Sequence, residues 1–298
     1  MRSNIIASHR ENMLQTELPV YLGNTSEVLS LNDGALFHYT KFESFLEISE
    51  SMTLRTSPLC RMNDLNEANI DDLDWGSGFL KMIEAERYVK ERCSIISFTK
   101  NYRTGSFCQN GSNHPAMWAH YAEDSNGVCL VLDKHILDLL NRETLKGVFH
   151  KTGMVIYRHH CSPNDSIMNT ICASASEFVH KNYKELFFIK HTDWKSEKEV
   201  RFFAESPEVF LNIKGAIKYI ILGARLSKDK DRLQKLIEHI VTPGTQSYHY
   251  LVPRSFAEMQ PSPYGYFTCS AAYVIERLLG RISELSKDYL TWERAQIT

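Results

Sequence analysis

The chain has 298 residues, 43% of them hydrophobic and 23% charged, with a formal net charge of −2. This is globular composition, with apolar material for a substantial core in one large domain or two small ones. Near-neutral charge excludes an overall basic field that would hold nucleic acid regardless of sequence, though not a local patch.

Residues 1–34 are polar and weakly patterned and end in the turn signal Asn32-Asp33-Gly34, which predicts an N-terminal arm. Residues 36–40 read as a first strand, followed by a helix whose apolar face carries Phe42, Phe45, Leu46 and Ile48, with Thr40 as its cap. A second strand over 52–56 runs into a long loop, 57–74, which carries Asn63-Asp64-Leu65-Asn66-Glu67. Loops of that length are more often functional than accidental. A helix over 78–92 and a strand over 93–99 precede a mobile loop over 100–114, rich in Asn, Gly and Ser. Pro115 opens a short helix containing Trp118 and Tyr121. Asn126-Gly127 then turns the chain into a fully apolar strand of the buried kind, 128–132. A strand over 148–157 comes next, then a helix capped by Ser162, with Ile167, Ile171, Ala175, Phe178 and Leu186 on one stripe. Strands at 209–211, 219–222 and 248–252 alternate with helices carrying Leu233, Leu236, Ile237 and Ile240, and Val274, Leu278, Ile282 and Leu285. No regular βαβ rhythm emerges. The expectation is an α+β fold with a mixed, largely antiparallel central sheet and flanking helices.

Several chemistries find no support. Neither Gly-x-Gly-x-x-Gly nor Gly-x-x-x-x-Gly-Lys is present, so neither common nucleotide-binding loop is indicated. His159-His160-Cys161 is the tightest metal-like cluster, but neighbours on a strand point to opposite faces, and no zinc site is expected. Seven cysteines, an odd number with no Cys-x-x-Cys, read as reduced thiols of a cytosolic protein. Residues 1–17 lack the apolar core of a signal peptide and no apolar run approaches membrane-spanning length. A soluble cytoplasmic protein without a membrane partner is expected.

The stretch that carries chemistry is 194–203, Trp-Lys-Ser-Glu-Lys-Glu-Val-Arg-Phe-Phe. Read as one strand, it places Glu197, Glu199 and Arg201 on one face and Val200 and Phe202 on the other. Two carboxylates and a guanidinium on one face either stay wet, as an ordinary surface ion pair, or do chemistry.

Five motifs in order resemble a bacterial family allied to the ADP-ribosyltransferases. They are His38-Tyr39-Thr40; Asn63-Asp64 with Glu67; Ser97-Phe98; Trp118-x-x-Tyr121 followed by Gly127; and Trp194-x-x-Glu197-x-Glu199-x-Arg201. The similarity spans about residues 36–223. It implies an ADP-ribosyltransferase-like core over 35–225, with 1–34 as an arm and 226–298 as an extension packed on that core. It also implies NAD as substrate and a toxin of a toxin–antitoxin or anti-phage defence system. The expected acceptor is a nucleic acid, RNA before DNA, and the expected partner a neutralising antitoxin. Alternatives are a protein-modifying transferase, an NAD glycohydrolase, and a non-catalytic module binding a nucleotide or a partner.

The resemblance assigns Glu199 to the nicotinamide ribose and its developing charge, and Glu197 to the acceptor side, with the two roles exchangeable. His38, with Tyr39 and Thr40, is assigned to the adenosine-side ribose. Asn63 and Ser97 are assigned to the NAD cleft, and Trp118 and Tyr121 to a wall for the nicotinamide ring. Arg201 is assigned either to orienting Glu199 or to the pyrophosphate. Bland readings stand beside these: Trp118 and Tyr121 as core aromatics one helical turn apart, His38 as a core histidine, and Asn63 as a turn cap. The aromatics Tyr248, Tyr250, Phe256, Tyr264, Tyr266 and Phe267 either pack the last helix or stack on a partner.

Overall fold

A run of five apolar residues, Val128 to Leu132, is too short for a buried helix and suits a strand covered on both faces, and all five are buried. In the computed structural model, which describes residues 34–61, 79–104, 107–109, 111–112, 114–159, 172–226, 229–241, 250–253 and 266–269, this run is the middle of one group of strands.

In chain order, β1 (Ala35–Thr40) leads to α1 (Phe42–Ser51), then β2 (Thr53–Arg55) and β3 (Ser57–Pro58). Next come α2 (Phe79–Arg92), β4 (Ser94–Lys100), β5 (Tyr102–Thr104), β6 (Phe107–Gln109), α3 (Pro115–His120) and β7 (Val128–Asp133). The chain continues through α4 (Lys134–Asn141), β8 (His150–Met154), β9 (Ile156–Arg158), α5 (Ala175–Phe187) and β10 (Ile189–His191). A 3-10 turn (Thr192–Glu197) precedes β11 (Glu199–Ala204), β12 (Phe210–Asn212), β13 (Ile217–Leu222), α6 (Lys230–Val241), β14 (Tyr250–Pro253) and β15 (Tyr266–Cys269). The arrangement is α+β, with mostly antiparallel strand pairing and flanking helices, as the sequence predicts.

The described residues fall into two compact units, one drawn from Met1–Met52, Arg103–Asp133 and Gly215–Thr298, the other from Thr53–Tyr102 and Lys134–Lys214. In the first, β7 pairs antiparallel with β1 on one side and β13 on the other. Beyond them, β13 pairs parallel with β14, and β14 antiparallel with β15. Its core gathers Phe37, Tyr39, Met117, Trp118, Ala122, Cys129, Val131 and Ile221. Two glycines permit close backbone crossings here. A Cβ on Gly127 would lie 2.2 Å from the Thr40 carbonyl oxygen, and one on Gly223 would lie 2.3 Å from that of Ser125.

In the second unit, β4 pairs antiparallel with β3 and β11, and β11 pairs antiparallel with β8. β10 runs parallel to β9, and β12 antiparallel to β2. Helices α2 and α5 bury Ala85, Val89, Phe178, Val179, Leu186 and Phe187 against Ile95 and Phe203. The helix carrying Phe178 and Leu186 starts at Ala175, after a Ser174 cap, and not in one piece from the Ser162 cap that the sequence predicts: the Ser174 hydroxyl accepts from the Glu177 N–H, and the Glu177 carboxylate accepts from the Ala173 N–H. This is a reciprocal cap of the Ser-x-x-Glu kind.

Other local expectations change as well. Thr40 ends β1 and does not cap α1; Lys41 holds that position, with no side-chain capping bond. The predicted loop at 100–114 contains β5 and β6. The helix α4 lies where no element is expected, and the strand expected over 148–157 is two strands, β8 and β9. The Ser162 cap, Ile167 and Ile171, residues 1–33 and residues 271–298 lie outside the described residues. Among the described residues no helix is long and apolar enough to cross a membrane.

Candidate functional site

The single strand expected over 194–203 is in fact two pieces. Residues Thr192–Glu197 make a 3-10 turn, Lys198 takes a left-handed conformation (φ 49°), and the ladder begins at Glu199. Lys198 carries the strain that glycine normally relieves. As a result Glu197 is held on a turn, while Glu199 and Arg201 share one face of β11.

The face is not solvated. Glu197 is 5% exposed, Glu199 3% and Arg201 1%, so of the two readings left open the wet surface pair fails: the cluster is buried. The Arg201 guanidinium forks onto Glu199, Nε donating to Oε1 at 2.7 Å and Nη2 to Oε2 at 3.0 Å, while Nη1 donates to the Phe187 carbonyl at 2.7 Å. Ser97, opposite Arg201 in the β4–β11 ladder, donates its hydroxyl to Glu199 Oε1 at 2.5 Å. The Tyr157 hydroxyl accepts the Glu199 N–H at 2.9 Å. Planar bidentate geometry of this kind is the strong form of an ion pair.

A second cation enters from β10. Lys190, also buried, donates from Nζ to Glu197 Oε2 at 2.8 Å and lies 3.5 Å from Glu199 Oε2. Its ammonium sits 4.7 Å from the centre of the Trp194 ring. With both carboxylates ionised, two positive and two negative charges balance, which is what lets four ionic groups leave water together. Burial alone would push the Glu199 carboxyl up. The charge and hydrogen bonds of Arg201, followed by Lys190 and Ser97, outweigh it and hold Glu199 below the ordinary glutamate value. Burial, only partly offset by the hydrogen bond from the Glu199 N–H, pushes the Tyr157 phenol up, so it stays protonated.

The other candidates lie in the first unit. Trp118 is 8% exposed, packs edge-on to Tyr39 with ring centres 5.0 Å apart, and donates its indole N–H to the Ser112 carbonyl at 2.8 Å. Tyr39 donates its hydroxyl to the Gly111 carbonyl at 2.7 Å. Tyr121 is the C-cap of α3 and packs against the same cluster. His38 lies on β1, half-buried opposite Leu130, and Thr40 is buried at the end of that strand. The predicted residues thus form two groups: Ser97, Glu197, Glu199 and Arg201 in hydrogen-bonded or ionic contact around Glu199 and Lys190, and Tyr39, Trp118 and Tyr121 in one apolar cluster. Asn63 lies outside the described residues, as does the Asn63–Glu67 segment with it.

The family described as "Protein of unknown function (DUF2971)" matches residues 117–202. The match covers less than a third of the chain. It starts in α3 beside Trp118 and ends in β11, so it takes in Tyr157, Lys190, Trp194, Glu197, Glu199 and Arg201 but not Ser97. No curated protein and no solved structure matches the chain.

Sequence reasoning missed Lys190 and Tyr157. Lys190 follows the apolar run Leu186-Phe187-Phe188-Ile189, where a lysine was unlooked for. A basic residue at the end of so apolar a run, a few positions before paired carboxylates, is the signal that was available. Among the described residues no group of three or more His, Cys, Asp or Glu is placed to hold a metal ion.

Proposed function

We propose that the protein is an NAD-dependent ADP-ribosyltransferase that uses Glu199 and Glu197. The observation that carries this reading is Glu199 itself: a buried carboxylate, kept ionised by Arg201, Lys190 and Ser97, with a second carboxylate on the adjoining turn. A negative charge fixed in a water-poor site stabilises a developing cation more strongly than the same charge in water, and needs no reorganisation.

In the proposed reaction the C1′–N bond of the nicotinamide ribose breaks and its electron pair leaves with nicotinamide, which departs neutral. The ribose passes through an oxocarbenium-like state, as in glycoside cleavage. Glu199 stabilises that state by its charge. An acceptor nucleophile then bonds to C1′, and Glu197 takes the proton it releases. If water is the acceptor, the same steps describe an NAD glycohydrolase. A nucleic-acid acceptor, RNA before DNA, a neutralising antitoxin and a cytoplasmic toxin role come from the resemblance described above, and are proposals on that footing alone. An acceptor protein is the alternative.

A second reading has its own observation. Glu199 accepts from Ser97, twice from Arg201 and from Lys190, a set that a purely structural clamp would also show. In that reading the protein is a non-catalytic binding module. One experiment separates them: the full chain is incubated with NAD labelled in the adenosine half, together with total cellular RNA, sheared DNA or soluble protein. Nicotinamide release is measured alongside label uptake. Release with uptake by one fraction supports transfer; release without uptake makes the protein a glycohydrolase. No release in any mixture overturns the NAD reading in favour of the module.

A further inference from the structure

Residues 155–157 hold both backbone groups of Glu199. Its carbonyl accepts the Val155 N–H at 3.0 Å, and its N–H donates to the Tyr157 hydroxyl at 2.9 Å. Between these two contacts the Ile156 N–H donates to the Phe188 carbonyl at 2.8 Å, and Tyr157 stands opposite Lys190 in the β9–β10 pairing. The phenol oxygen is therefore fixed beside Glu199 by a pinned strand. A phenol both accepts and donates. Tyr157 accepts from Glu199, and among the described residues its own O–H meets no acceptor. Burial and the charges of Glu199 and Glu197 keep that proton in place. Tyr157 is only half-buried, whereas both carboxylates are buried, so the donor stands on the shallower side of the cluster. Glu199 itself is in the opposite position. An ionised carboxylate offers about four acceptor sites, and here Ser97 and Arg201 Nε meet Oε1 while Arg201 Nη2 and, at 3.5 Å, Lys190 meet Oε2. What Glu199 offers a ligand is charge; a directed hydrogen bond has to come from beside it.

We propose that Tyr157 is a specificity-determining residue whose phenol donates a hydrogen bond to the 2′-hydroxyl of the nicotinamide-side ribose. The inference rests on the NAD-cleaving reading above, and adds to it the ligand group that the site selects. The 2′-hydroxyl is borne on the carbon next to C1′, the atom whose developing charge Glu199 stabilises in that reading. A donor fixed on the Glu199 backbone N–H stands in the matching neighbouring position. The hydroxyl oxygen is uncharged and accepts from the phenol, while its own hydrogen turns toward the carboxylate charge. A phosphate at the same place would bring further negative charge against two carboxylates in a water-poor setting. A site built to hydrogen-bond a substrate hydroxyl discriminates against the analogue lacking it, because its own donor is then left without a partner.

The test compares wild type with Tyr157→Phe, both full-length and checked by thermal melts. Each is given NAD and two analogues, one lacking the nicotinamide-side 2′-hydroxyl and one lacking the adenosine-side 2′-hydroxyl. The quantity read is kcat/KM for nicotinamide release. Tyr157→Phe is expected to lose activity on all three, because the Glu199 N–H loses its acceptor as well. The loss on NAD and on the adenosine-side analogue should exceed the loss on the nicotinamide-side analogue by at least about tenfold, since that analogue has no hydroxyl for the phenol to serve. Should Tyr157→Phe fail to fold, Tyr157→His is held to the same ratio; its ring can still accept an N–H, but it sets any donor elsewhere. A phenol that only holds the backbone lowers all three substrates equally, and that result overturns the proposal. So does a loss spared on the adenosine-side analogue alone, which moves the phenol to the other ribose, or a Tyr157→Phe variant as fast as wild type on NAD. Each of these leaves NAD cleavage intact. A wild type that releases no nicotinamide from NAD removes that reading and the proposal together.

Discussion

The two ends of β11 each carry a glutamate that collects donors, and they solve the same problem differently. Glu199 at the start is deep and is met by cations, Arg201 and Lys190, with Ser97 in support. Glu205, just past the end, is nearer the surface. It accepts from Tyr88 at 2.7 Å and from Ser176 at 2.6 Å, and pairs with His180 at 2.6 Å, the histidine being 44% exposed and packed, tilted, against the Phe149 ring. Burial pushes both carboxyls up, and both nonetheless lie below the ordinary value. For Glu199 the charge of Arg201 is the main reason, and for Glu205 the hydrogen bonds from Ser176, Tyr88 and His180 are. Depth decides the means: hydroxyls suffice where water helps, and full counter-charges are needed where it does not. In the proposed reaction it is the deep carboxylate, Glu199, that would meet the developing positive charge at the ribose.

Four measurements test that contrast, the largest effect first. Arg201→Met should cost roughly 3–5 kcal/mol of stability, because it strands Glu199 without its fork in the interior. Arg201→Lys should recover only part of this, since an ammonium cannot serve both Glu199 and the Phe187 carbonyl as the fork does. Denaturant melts of the two variants check the order; equal stability to wild type would mean that the fork is ornamental.

Glu199→Gln should lower nicotinamide release by at least about a hundredfold, ~2.7 kcal/mol, with NAD affinity much less affected. It should also destabilise the fold, because two cations then face one carboxylate. Release must therefore be read well below the variant's own melting point. Near-normal release would move the catalytic role away from Glu199.

Glu205→Gln should cost about 1–2 kcal/mol, the scale of hydrogen bonds to a charged group near the surface. Nicotinamide release should stay within about threefold of wild type. A large loss of release would erase the distinction between the two ends.

The smallest effect is a pH dependence. Glu205 has a folded-state pKa below its unfolded value, so its contribution is present above the ordinary glutamate value of 4.5 and is lost as pH falls through the lower, folded one. The gap in melting temperature between wild type and Glu205→Gln should therefore be full near neutrality and close as the pH drops below about 4. A gap that widens on acidification would contradict the assignment.

How far the sequence could have led is clear from particular residues. The central strand β7 and its neighbours β1 and β13 were legible because unbroken apolar runs between turn signals have few other uses. Glu199 and Arg201 on one face of a strand followed from period-two alternation. The break at Lys198 did not, because the residues around it offer no glycine, proline or asparagine to announce a turn. Nor could alternation tell a wet face from a buried one: that depends on what covers β11, and Lys190 arrives from a three-residue strand too short to leave a periodic mark. Trp118 and Tyr121 one turn apart promised a shared face, and their common cluster with Tyr39 keeps that promise.

The neutral balance of the four charges has a consequence for how this sequence can drift. Losing any one of Lys190, Glu197, Glu199 or Arg201 leaves an uncompensated ion inside, whereas exchanging a pair for apolar side chains of like volume is often nearly neutral. Single steps away from the present arrangement are therefore uphill, and paired steps are not. Among related chains the expected pattern is co-inheritance: the four ionic side chains retained as a block, or surrendered in opposite-charge couples, with lone replacements rare.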